Sequence, residues 1–142
     1  MRAAAIAVLF FWMSSQALAF EELPINFMYC SDTSEKADCK KNVQRMEDDN
    51  KRAWKGDYAG QRNVAYCLSS GCGGLVIQNK ALGCAWRIVI IGSGSPKVDA
   101  GDISNIKYEC GRLDAAEASA AKAQAATIYR TVFKRELPAV AW

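Results

Sequence analysis

Residues 78–91 read Gln78-Asn-Lys-Ala-Leu-Gly-Cys-Ala-Trp-Arg-Ile-Val-Ile-Ile91, and Gly92-Ser-Gly94 follows. How this stretch folds decides the fold of the chain. Ala81, Leu82, Ala85, Trp86 and Val89 share one face of a helix. Cys84, Ile88, Ile90 and Ile91 fill most of the rest. A helix apolar nearly all round belongs at the centre of a domain. The competing reading takes residues 87–91 as a strand, because β-branched residues favour strands. Only Leu75-Val76-Ile77 could then partner it, and a single hairpin makes a poor sheet. The stretch is therefore read as a central buried helix.

Working outward toward the N-terminus, Ser70-Gly71-Cys72-Gly73-Gly74 lacks the Gly-Lys-[Ser/Thr] ending of a phosphate loop and reads as a tight turn between helices. Tyr58 to Ser69 is a shorter helix with Tyr58, Ala65 and Leu68 inside, and Asp57 is placed to cap it. Before Gly56, residues 35–55 contain no Pro or Gly, and Val43, Met46, Asn50, Ala53 and Trp54 form a helical stripe with one polar break. Glu47, Asp48, Asp49, Lys51 and Arg52 are expected on a solvated face of that helix. Ser31 to Ser34 are residues that cap helix N-termini.

Toward the C-terminus, Gly92 to Gly101 is a turn-rich loop containing Pro96. Asp102 is expected to cap a short helix carrying Ile103, Ile106, Cys110 and Leu113 inward. Asp114-Ala-Ala-Glu117 resembles a capping box. The helix after it is expected to run to about Glu136, with Ala118, Ala121, Ala125, Ile128, Tyr129, Val132 and Phe133 inside. The fold class is all-α: a small disulfide-stapled helical domain of about five helices with one antiparallel α/α hairpin.

The first 19 residues read as a signal peptide: Met1-Arg2, an apolar run from Ala3 to Met13, and the small-x-small ending Ala17-Leu18-Ala19. The run is shorter than the roughly 20 residues a membrane span needs. Cleavage after Ala19 leaves residues 20–142 as one exported helical domain, expected in the periplasm or outside the cell, without stable membrane insertion. Export gives the six cysteines their meaning. Cys30, Cys39, Cys67, Cys72, Cys84 and Cys110 are an even set, and no Cys-x2-Cys pair suggests a metal. Helix placement favours Cys30–Cys39, Cys67–Cys72 and Cys84–Cys110. The last pair is level on two antiparallel helices joined at the far end. The rival pairing is Cys67–Cys84 with Cys72–Cys110.

The middle of the chain, about residues 58–88, resembles one Sel-one-like repeat, an α/α hairpin related to the tetratricopeptide repeat. Val64-Ala65 stand at that family's Leu-Gly, Leu68 at its Tyr, Gly71 and Gly73 at its loop glycines and Lys80-Ala81 at its Lys-Ala. Trp86 is displaced by two positions. The resemblance covers roughly a quarter of the exported part, and arrays of such repeats need at least three copies where one is visible here. It implies a scaffold or adaptor that binds another protein without chemistry of its own.

Composition narrows function by exclusion. Histidine is absent, which removes Ser-His-Asp and Cys-His catalysis, His-ligated zinc and His-held haem. Among 142 residues, 18 Lys plus Arg face 15 Asp plus Glu, so the net charge of +3 offers no concentrated basic face for nucleic acid. No cofactor or metal is expected. Three readings remain: an exported protein-interaction module, an inhibitor or immunity-like protein of a cell-wall enzyme, and a small glycan hydrolase. Hydrolysis would need two carboxyl groups about 5–9.5 Å apart, for which Glu47 and Asp57 are the candidates. The expected partner anchors are Trp54, Tyr58 and Trp142, because interfaces favour large aromatics. Trp86 is assigned to the core.

Overall fold

The computed structural model describes residues 25–27, 30 and 36–142. The expected signal peptide and the Ser31–Ser34 cap lie outside these residues. Among the described residues five helices follow one another: α1 (Lys36–Trp54), α2 (Tyr58–Ser70), α3 (Lys80–Gly92), α4 (Ala100–Cys110) and α5 (Ala115–Phe133). A short 3-10 turn, Cys72–Gly74, lies between α2 and α3. The domain is all-α, and no helix among the described residues is long and apolar enough to cross a membrane.

The stretch that decides the fold is the axle of the domain. Helix α3 packs against α2, α4 and α5, while α1 lies on α2 and touches α5 slightly. From Leu82 to Ile90 every residue of α3 is buried, as all-round apolarity requires. Asn79 caps its N-terminus by accepting from the Leu82 amide at 3.0 Å. The Leu75–Ile77 segment does not make a hairpin with α3. Val76 forms an isolated antiparallel bridge with Phe27 instead, and the Ile77 amide donates to Asn26 O at 2.8 Å.

Close helix approach depends on two glycines. A Cβ at Gly60 of α2 would lie 2.8 Å from Asp49 O and 2.9 Å from Ala53 N of α1. A Cβ at Gly83 of α3 would lie 2.4 Å from Ser69 Oγ of α2. They are the third residue of α2 and the fourth of α3, where glycine is less favourable than alanine by up to about 1 kcal/mol. The backbones come together only because no side chain stands between them.

Three disulfides fasten this bundle: Cys30–Cys39, Cys67–Cys72 and Cys84–Cys110, with Cα separations of 5.9, 4.8 and 5.2 Å. Cys84–Cys110 joins α3 to α4, and Cys67–Cys72 ties the end of α2 to the turn beyond it. The rival pairing is not adopted.

Four local expectations are corrected. The cap of α4 is Asp99, with Asp102 as its capping-box partner inside the helix. Asp102 is therefore a buried residue of the inner face, and Ile103, expected inward, turns out 40% exposed. Starting the helix three residues earlier shifts which side chains face α3. Helix α5 stops at Phe133, because Lys134 takes the left-handed conformation (φ 56°) and its amide closes on Arg130 O. Asp49 leaves the solvated face of α1: it is 6% exposed, turned toward α2 where Asn63 meets it.

Candidate functional site

An open cleft of about 610 Å³ lies between α1, α2 and the glycine turn. One face of α1 supplies Asp38, Asn42, Arg45, Met46 and Asp49, positions that recur at helical spacing. Helix α2 supplies Asn63, Tyr66 and Cys67, and the turn supplies Cys72 to Leu75. The turn holds this wall in place through backbone conformations that glycine permits: φ is 77° at Gly71, 69° at Gly73 and 88° at Gly74. Cys72 shares the left-handed region at φ 45° without being glycine.

The polar residues of the cleft divide into two sets. Asp49 is committed, since it accepts from Arg52 Nη2 and from Asn63 Nδ2, the latter at 2.9 Å. Arg52 in turn pairs with Asp57 Oδ1 at 3.2 Å, and Asp57 caps α2 by accepting from the Gly60 amide at 2.8 Å. The hydrogen bond to Asp49 raises the Arg52 pKa, so its charge is secure. This network joins the end of α1 to the start of α2. By contrast, the side chains of Asp38, Asn42, Arg45 and Tyr66 make no hydrogen bond or ion pair among the described residues. Tyr66 is 56% exposed, a large aromatic on the rim.

Two further polar clusters brace helices away from the cleft. The Tyr58 hydroxyl donates to Asp102 Oδ2 at 2.5 Å, Arg62 Nε lies 3.2 Å from Asp102 Oδ1, and the Asp99 amide donates to Oδ2 at 3.2 Å. Burial first, then the bond to Asp102, raises the Tyr58 pKa above the usual tyrosine value. Arg87, 3% exposed, forks onto Glu109 at 3.0 and 2.8 Å, and Ser69 Oγ donates to the same carboxylate at 2.7 Å. That set links α2, α3 and α4.

The sequence-derived anchors fall elsewhere. Trp54 is 9% exposed and stacks edge-on to Trp86 with centroids 5.2 Å apart, so it belongs to the core and not to an interface. The α1 stripe that carries Trp54 packs onto α2, and the ring itself reaches Trp86 of α3, which leaves it no outlet. Tyr58 is half-buried and engaged by Asp102. Trp142 is half-buried against the core, with Lys122 Nζ 4.9 Å from its ring centroid. None of the three lines the cleft, and neither Glu47 nor Asp57 does. Tyr66 was missed, although its place next to Ala65 on the inner stripe already puts it on the outer, polar side of α2. No protein-family model, characterised protein or solved structure matches this chain significantly.

Proposed function

We propose that the chain is an exported protein-interaction module without chemistry of its own, and that its partner docks at the cleft between α1, α2 and the glycine turn. The observation that carries this is the set Asp38, Asn42, Arg45 and Tyr66, which line a cleft of about 610 Å³ and make no side-chain hydrogen bond or ion pair among the described residues. By contrast, the buried polar side chains Arg87 and Asp102 are consumed in bracing helices. An exposed tyrosine beside an arginine is the residue chemistry of interface hot spots. Within the cleft, Asp49 is occupied by Arg52 and Asn63, which leaves Asp38 without the second free carboxylate that glycan hydrolysis uses. Three disulfides and the leader-like first 19 residues favour an oxidising compartment, periplasmic or external. The resemblance of residues 58–88 to one Sel-one-like repeat supports an adaptor role.

The test uses residues 20–142, oxidised, as bait against exported proteins of the source cell, beside a Tyr66→Ala/Arg45→Ala variant with unchanged circular dichroism. A species retained by the native chain and lost by the variant is the expected result. Equal retention by both overturns the assignment of the cleft.

A further inference from the structure

We propose that the cleft is also a site of thiol–disulfide exchange, in which the Cys67–Cys72 disulfide accepts a thiolate from a dithiol-bearing partner while Cys84–Cys110 stays closed. The proposal rests on the reading of the cleft as the docking face and departs from that reading in one respect: the docked partner is oxidised there, so the module carries this one chemical step.

Three observations carry it. First, Cys39, Cys67 and Cys72 all line the cleft, so two of the three disulfides border one hollow. The third is sealed in the core, with Cys84 0% and Cys110 2% exposed. Second, Cys72 is one of two non-glycine residues among those described with left-handed backbone, the other being Lys134. That conformation is disfavoured by the Cβ and persists where its surroundings enforce it. Here the disulfide to Cys67, five residues back, acts with the Gly71 amide on Cys67 O at 2.8 Å, the Cys72 amide on Ser70 Oγ at 3.2 Å and the Gly74 amide on Gly71 O at 3.0 Å. Opening the disulfide frees Cys72 to relax, whereas the residues of the other two bridges carry no such constraint. Third, a Cβ built on Gly73 or Gly74 would meet nothing within 4 Å, so the chain beyond Cys72 is open on that side to an approaching protein.

The exchange balances as follows. The partner's thiolate attacks Sγ of Cys72, the more exposed of the pair, and the S–S bond breaks with its electrons on Sγ of Cys67, which takes a proton from water. A mixed disulfide now joins partner and Cys72. A second thiolate of the partner attacks the partner's own sulfur in that bond, expelling Cys72 as thiolate. Two electrons have passed from a dithiol to Cys67–Cys72, and the partner departs with a new disulfide.

Limited reduction of the native oxidised chain with dithiothreitol, quenched with N-ethylmaleimide and mapped by peptide mass, tests this. Cys67 and Cys72 are expected to label at least ~10-fold faster than Cys84 and Cys110, since exchange rates follow access. Equal labelling of both pairs, or opening of Cys30–Cys39 with Cys67–Cys72 left intact, overturns the proposal. In a second arm the Cys67→Ser variant, which leaves the Cys72 thiol without its partner, is treated with oxidised glutathione. A glutathione adduct on Cys72 is expected, and its absence overturns the proposal. Neither readout uses a docking partner, so failure here is separate from failure of the bait experiment.

Discussion

Replacing Gly60 by alanine puts the helix-packing account to a test of sign. Gly60 is the third residue of α2, and by helix propensity alone the change should stabilise, by up to about 0.8–1 kcal/mol. At Gly60, however, the new methyl would stand 2.8 Å from Asp49 O, 2.9 Å from Ala53 N and 3.0 Å from Arg52 Cβ. The two closest are backbone atoms of α1 and cannot swing aside as a side chain would. Relief requires α1 to move away from α2 by several tenths of an ångström, loosening Met46, Ala53 and Trp54 in the core. Overpacking of this kind costs about 1–3 kcal/mol and sometimes more. Because backbone is displaced, the upper part of that range applies, and the net effect is a loss of about 1–2 kcal/mol after the propensity gain. For a domain of this size that lowers Tm by roughly 3–10 °C. Thermal and urea unfolding followed by circular dichroism on oxidised protein measure it. An exposed control, Ala59→Gly, loses about 1 kcal/mol from propensity alone. A Gly60→Ala variant as stable as the native chain, or more stable, would refute the close-approach argument.

Tyr58→Phe removes the donor to buried Asp102 and is expected to cost about 1.5–3 kcal/mol in urea unfolding. Since the folded Tyr58 pKa is raised, its contribution is complete below the ordinary tyrosine value and is lost as pH climbs through the folded one. The native chain should therefore lose stability more steeply than Tyr58→Phe at alkaline pH. Arg87→Met strands Glu109 and should cost about 3–5 kcal/mol, much of it recovered in Arg87→Met/Glu109→Leu, a double-mutant cycle with a large coupling term. The Glu136 carboxyl is held below its usual range by hydrogen bonding to Arg130, so its small contribution is present above that range and fades as pH falls. Comparing Glu136→Gln with the native chain at low and high salt checks this, the difference shrinking as salt rises. Glu47→Ala/Asp57→Ala is expected to lower stability through loss of the α2 cap, by about 0.5–2 kcal/mol, and to leave partner capture within a few-fold.

Most of the architecture was legible because apolar periodicity and punctuation agree. Gly56, Asp57 and Asp114 sit where helices stop or start, and the stripe from Ala118 to Phe133 has a single reading. Helix geometry favoured Cys84–Cys110 over the rival Cys67–Cys84, and that is the pair that forms. What failed at α4 was phase. Asp99 and Asp102 both cap in principle, and choosing the second rotated the helix so that Ile103 took the inner place that belongs to Asp102. A buried carboxylate with Tyr58 and Arg62 waiting on another helix leaves no local trace in sequence. The cleft was less legible for the same reason. Its residues come from two helices and a turn, and an unpartnered side chain can be identified only once every other partner has been assigned. Trp54 misled because a tryptophan near a helix end fits an interface and a core equally well, and contact with Trp86 decides between them.

Helix α1 forms one wall of the cleft, yet its support comes almost wholly from α2. Its buried apolar side chains are Met46, Ala53 and Trp54, whereas α3 is enclosed along most of its length. Stability is then distributed unevenly: amides of α3 exchange with solvent deuterium through global unfolding, and those of α1 through a cheaper, separate opening. An occupant that spans both walls binds only when α1 is seated. At a free concentration of 100 times its dissociation constant it would suppress that opening by about 2.7 kcal/mol, roughly a hundredfold slowing of α1 exchange. The amides of α1 therefore act as a built-in gauge of cleft occupancy, readable without labels and before any partner has been characterised.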